Sequence, residues 1–223
     1  MPNHVDNVLT FEGDSEKIKE LLHLIKCKDE PLGSVDFGKL IPMPESLNIE
    51  SGSRTIRGLQ VYREFVDVYT LMGTEEKDLL NIPEESEQAF LKVRKDVEPD
   101  EWELGKIAFQ NKLKYGATDW YDWCIENWGT KWNAYDYGEV DENDNEIYFY
   151  TARSAPHPII EKLASMFPEL QITHKWADEN LGYNCGQCVF EGGELTEEYY
   201  PEGDEAFRFA CLLEGYEPED LEM

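Results

Sequence analysis

The segment V-L-T-F-E-G at 8–13 alternates apolar and polar side chains, the period-two signature of a half-buried strand. Asp14 or Ser15 then stands where a helix cap belongs. Ile18, Leu21, Leu22 and Ile25 follow at the three-to-four spacing of one helical face. Turn residues Pro31 and Gly33 separate this helix from S-V-D-F-G-K-L-I at 34–41, which the alternation predicts to be a second strand. P-M-P at 42–44 ends it, because proline cannot donate to a ladder.

From 45 to 130 the period changes to that of helices. In the 58–72 segment Leu59, Tyr62, Phe65, Val66 and Tyr69 share a face. Pro83 and Pro99 stand where first helical turns accept proline. Thr118 can cap a helix that carries Trp120, Trp123, Cys124 and Trp128 in one stripe, and Gly129 is placed to end it.

Alternation returns over 132–137 and in I-Y-F-Y-T at 147–151, with the polar D-E-N-D-N-E turn between them, so a hairpin is expected. A helix then buries Ile159, Ile160, Leu163 and Phe167. It leads to a strand over 170–176 with Leu170, Ile172, His174 and Trp176 on one side. Further sheet is expected around Y-N-C-G-Q-C-V-F-E and L-T-E-E-Y-Y, and a last helix over 203–213. With 45–130 set aside, the order is β-α-β twice, the split βαβ of a ferredoxin-like α+β sandwich. The expected division is a core of 1–44 and 131–178, a helical insertion over 45–130, and an acidic strand-and-helix elaboration over 179–223 packed on the core.

Charge changes what such a scaffold can bind. The 223 residues hold 48 acids against 20 bases, a net charge of −28. Fourteen acids and one base, Arg208, fall between Asp178 and Met223. Nucleic-acid affinity comes mainly from cationic side chains displacing counterions, so direct binding to DNA or RNA is disfavoured. An anionic membrane surface is disfavoured likewise. A basic protein is the partner the charge favours. No apolar run reaches membrane-span length and no secretory signal is visible, so a cytoplasmic setting is expected. Five scattered cysteines suit a reducing compartment.

Candidate chemistry is sparse. Four tryptophans fall within residues 120–132. Burial of about 200 Å² per indole stabilises by up to roughly 5 kcal/mol each, so core packing is their first role. If the segment is instead a stacking platform, Trp128, Lys131, Trp132 and Tyr135 carry it, with His157 at the following helix entrance. Cys185 and Cys188 form a single C-x-x-C without a second pair, and on a strand residues three apart face opposite ways. They are read as small buried residues, with metal or redox use as alternatives. D-E-N-D-N-E lacks the glycine and terminal glutamate of a calcium loop. His174 is read as a hydrogen-bonded core histidine. No catalytic residue, metal site or cofactor is assigned.

The strings P-N-H-V-D-N-V-L-T-F-E-G, F-G-K-L-I-P-M-P-E, Y-G-A-T-D-W-Y-D-W-C-I-E-N-W-G-T-K-W-N-A-Y-D and T-A-R-S-A-P-H-P-I-I-E-K-L-A-S-M-F-P-E-L resemble the YubB-type family. That resemblance implies a ferredoxin-like fold, carriage by phages and plasmids of bacteria, and no assigned activity or catalytic residues. The charge asymmetry, together with the lack of a reactive constellation, makes a non-enzymatic acidic interaction module the function expected first. Glu194, Glu197, Glu198, Glu202, Asp204 and Glu205 would present the acidic surface, and the partner would be a basic, nucleic-acid-handling host protein. Two alternatives stand beside it. One is a small-molecule or nucleotide-processing enzyme with a pocket between sheet and insertion. The other is single-stranded nucleic-acid or RNA binding through an aromatic surface.

Overall fold

The computed structural model describes residues 3–71, 79–80 and 82–216. Pro2, Met72 and the 217–223 end of the acidic stretch, all used in the sequence reading, lie outside the described residues. The chain divides into two compact units, Met1–Pro42 with Cys124–Met223, and Met43–Trp123.

The first unit is built on a five-stranded sheet. β1 (His4–Glu12) runs into α1 (Ser15–Ile25), whose first turn is capped by the Asp14 carboxylate accepting from the Glu16 and Lys17 amides. Ile18, Leu21, Leu22 and Ile25 form its buried face, as their spacing predicts. The expected strand over 34–41 is not there. Asp36 accepts from the Gly38 amide and starts a short helix, α2 (Phe37–Leu40), that buries Phe37 and Leu40. A local capping bond thus outcompetes ladder pairing, which is the usual way an aspartate diverts an apparent strand.

The second unit contains a 3₁₀ turn (Glu45–Leu47), α3 (Ser53–Thr70), α4 (Glu84–Val93) and α5 (Pro99–Tyr115). Its core joins Val61, Tyr62, Phe65, Val66, Leu79 and Trp102. α3 and α5 touch at paired glycines: a Cβ on Gly58 would lie 2.0 Å from the Glu101 carbonyl oxygen, and one on Gly105 2.1 Å from the Gly58 carbonyl. Only glycine permits that approach. Glu87 is buried here, 2.8 Å from Lys106 Nζ, and accepts from Tyr62 Oη at 3.3 Å.

α6 (Trp120–Trp128) opens on Asp119, whose carboxylate accepts from the Tyr121 amide at 2.9 Å, so the cap lies one residue beyond Thr118. Gly129 follows with φ 77°. The chain then reaches β2 (Glu146–Ala152), α7 (His157–Met166), β3 (Gln171–Asp178), β4 (Gly186–Glu191), β5 (Glu194–Tyr199) and α8 (Asp204–Leu213). The sheet order is β2-β1-β3-β4-β5, with every pair antiparallel. β2 and β3, joined by α7, flank β1, which is a split βαβ. The expected hairpin is only partly formed. Tyr135 and Tyr150 make one isolated bridge, and the Gly138 amide donates to the Tyr148 carbonyl. Regular pairing stops because Asn133 diverts the chain by side-chain bonds to Phe37 and Asp36, and because Asp136 adopts φ 48°. This irregular stretch lies along β2, the edge that the missing strand would have occupied.

One sheet face carries Val5, Leu9, Phe11, Ile147, Phe149, Ile172 and Trp176. Ring contacts of Phe37 with Phe149 and of His157 with Trp176 set α2 and α7 against it. α8 packs on the opposite face, where Ala177, Cys185, Ala206 and Ala210 form a small apolar cluster.

Candidate functional site

Strand periodicity sends alternate side chains of β1 and β2 away from the main core. His4 and Asp6 leave β1 on the α8 side, and Tyr148 and Tyr150 leave β2 beside them, with Asp6 opposite Tyr150 in register. The irregular stretch adds Tyr135 and Asp136. Glu179 follows β3, its amide bound to the His4 carbonyl at 3.0 Å, and Glu214 ends α8. His4, Asp6, Asp136, Tyr150, Glu179 and Glu214 line a concavity of about 290 Å³, all within the first unit.

Its wall is aromatic. The Tyr135 and Tyr150 rings stack with centroids 6.1 Å apart, and His4 sits edge-on to both at 5.7 and 5.8 Å. Tyr148 meets Tyr150 edge-on at 5.3 Å, and Trp132 meets Tyr135 at 6.5 Å. Tyr135 Oη lies 2.8 Å from His4 Nδ1 and 3.2 Å from the Thr151 carbonyl oxygen. A carbonyl can only accept, so when the hydroxyl donates there the imidazole N–H donates to the hydroxyl. The ring wall is thus held in place by hydrogen bonds.

Its floor is acidic and short of counter-charge. Asp6 is buried and accepts from the Tyr148 hydroxyl. Burial raises the Asp6 carboxyl above its ordinary range, and the Tyr148 bond offsets part of that rise. Burial first, then Asp6, Asp178 and Glu179, pushes Glu214 up to about 7. Its Oε1 is buried and has no hydrogen-bond partner among the described residues. Burial first, then Asp136 and Glu179, pushes Tyr135 up to about 12. Every one of these shifts has the sign of a site holding excess negative potential in a poorly solvated place. A cation placed there would offset the repulsion among the carboxylates.

The residues singled out in the sequence do not gather in one place. Trp132 and Tyr135 belong to the aromatic wall, and Lys131 Nζ lies 4.4 Å over the Trp132 ring. Trp128 is buried, edge-on to Phe37, with its indole N–H on the Ile41 carbonyl at 2.8 Å. Trp123 is also buried, while Trp120 and Trp132 are half-buried. His157 lies on the other sheet face, edge-on to Trp176 at 4.6 Å, with its pKa lowered by burial. His174 is fully buried, bound to Asn7 Oδ1 at 3.0 Å, and burial holds its pKa down near about 3. Cys185 bonds the Ala206 carbonyl on the α8 side, whereas Cys188 pairs in register with His174 on the α7 side. Burial raises both thiols. Glu194, Glu197 and Glu198 are exposed on β5, and Glu202, Asp204 and Glu205 continue exposed into α8.

Asp6, Tyr148, Tyr150, Glu179 and Glu214 were not singled out by sequence reasoning. The alternation of I-Y-F-Y-T already places both tyrosines opposite Ile147 and Phe149, and that signal was available. Glu179 and Glu214 join the site only through tertiary packing.

Residues 127–219 match the family model described as the ferredoxin-like domain in Api92-like protein. The fold is therefore ferredoxin-like α+β, with the helical segment interrupting it. No curated protein matches the chain. Among solved structures, the crystal structure of a protein api92 from Yersinia pseudotuberculosis is similar at 14% identity and a TM-score of 0.38, covering 91% of this chain and 99% of that chain. Among the described residues, no helix is long and apolar enough to cross a membrane, and no group of three or more His, Cys, Asp or Glu side chains is placed to hold a metal ion.

Proposed function

We propose that this chain is a non-enzymatic interaction module of the YubB-type, carried by a mobile element, that binds a basic protein by seating one of its cationic side chains in the concavity of β1, β2 and α8. The observation that carries the reading is the meeting of Asp6, Asp136, Glu179 and Glu214 with the rings of His4 and Tyr150 around one opening. A guanidinium or ammonium group suits both components, since carboxylates supply charge-assisted hydrogen bonds and ring faces supply cation–π attraction. A phosphate or nucleobase suits it poorly, because any stacking on the tyrosines would bring a backbone phosphate against four carboxylates.

Titration with N-acetyl-arginine amide at about 20 mM salt, where surface charges are little screened, tests this. Amide shifts should move at Asp6, Tyr148, Tyr150 and Glu214, and binding should tighten as pH rises through about 7, where Glu214 ionises. Glu179→Ala should weaken it several-fold, in keeping with loss of one of several charge-assisted contacts. Absence of shifts at these positions would remove the basis of the proposal.

A further inference from the structure

The two edges of the sheet are treated differently by the chain. Along β2, the irregular stretch supplies the Tyr135 bridge and the Gly138 bond, so that edge is occupied. Along β5, the strand order ends: β5 pairs with β4 and, among the described residues, with no strand beyond it. All six residues of β5 are exposed. An open edge is a row of unmatched amides and carbonyls, a template for another strand.

The side chains of that edge select what can use it. Register places Glu194, Glu197 and Tyr199 on the α8 side of the sheet, and Leu195 and Glu198 on the α7 side. The ladder shifts between Val189 and Phe190, and the extra residue, Thr196, bonds the Val189 carbonyl through its hydroxyl. A second copy of this chain pairing edge to edge would set glutamates against glutamates, and like charges across a ladder repel. The bulge adds local twist that further discourages such stacking. An extended segment bearing lysine or arginine does not meet that repulsion. Its charges find Glu194, Glu197 and Glu198, and its apolar residues find Leu195 and Tyr199, which are 42% and 39% exposed.

We propose that β5 is the docking edge for an extended basic segment of the partner, which joins the sheet as an added strand next to Glu194–Tyr199. Backbone hydrogen bonds supply the affinity, and the three glutamates supply the choice of a basic sequence. This rests on the reading that the partner is basic, and it assigns a second contact, at the opposite end of the sheet from the concavity.

Two peptides of equal charge separate strand addition from plain charge attraction: Lys-Val repeated four times, and Lys-Pro repeated four times, which cannot donate at every second residue. At about 20 mM salt the first should bind at least about ten-fold more tightly, the effect of one or two net backbone hydrogen bonds. It should also slow hydrogen exchange at the β5 amides. Charge reversal by Glu194→Lys, Glu197→Lys and Glu198→Lys, all at exposed positions, should abolish the difference while leaving the fold unchanged by circular dichroism. Equal binding of the two peptides, with shifts confined to the concavity, would overturn strand addition and leave the basic-partner reading standing. Binding of neither peptide would overturn both.

Discussion

Glu214 ends α8, where the last carbonyls of a helix already concentrate negative charge. Its carboxyl faces Asp6, Asp178 and Glu179, and burial adds to their effect. The folded chain therefore holds a proton there up to about 7, while the unfolded chain releases it near the ordinary 4.5. In that window the native state binds more protons than the unfolded state, so stability from this group is complete below about 4.5 and is lost as pH rises through about 7. Glu214→Gln removes the ionisation. Its stability relative to the parent should improve between pH 5 and pH 8 in urea unfolding, and a difference that stays constant with pH would refute the assignment. Little of this was legible in the sequence. With 48 acids in the chain, no single glutamate stands out, and only the packing of α8 brings Glu214 to Asp6. His4, Asp6, Tyr148 and Tyr150 were closer to legible, since period two alone puts each pair on one face.

At the scale of elements, local pattern succeeded where one periodicity had no rival. α1, α7 and β3 follow their apolar spacing, and β4, β5 and α8 lie within the segments expected to be sheet and helix. It failed at 34–41, where alternation and a three-residue helical step coexist and the Asp36 cap decides between them. It also missed the crossing of α3 and α5, because a glycine inside a helix pattern signals weakness when read alone. In the fold, Gly58 and Gly105 are the contact itself. Gly105→Ala should gain roughly 1 kcal/mol of helix propensity. It should lose more by forcing backbones apart, since overpacking costs about 1–3 kcal/mol or more when the neighbour cannot move. The neighbour here is a carbonyl 2.1 Å away. A lowered urea midpoint is expected for Gly105→Ala and for Gly58→Ala, and the double variant should cost less than the two together, because both open the same contact. A raised midpoint would show that the helices can separate freely.

For the molecule as a whole, the net charge of −28 acts on stability and on association with opposite signs. Within the chain, 48 acids against 20 bases leave a large excess of negative charge, so mutual repulsion disfavours the compact state. Several exposed pairs, such as Lys17–Glu20 and Arg54–Glu50, oppose that repulsion, but exposed pairs contribute only about 0–1 kcal/mol each. Screening should therefore remove more repulsion than attraction. Raising salt from about 20 to about 200 mM shortens the screening length from roughly 20 Å to below 10 Å, and the urea midpoint should rise. The same screening should slow capture of a basic peptide, because steering by a field of one sign weakens steeply with ionic strength. Stopped-flow association of the Lys-Val peptide should lose at least about ten-fold in rate over that range, with a much smaller change in dissociation. A midpoint that falls with salt would mean that the ion pairs outweigh the diffuse repulsion. An association rate indifferent to salt would mean that the acidic surface does not guide the partner.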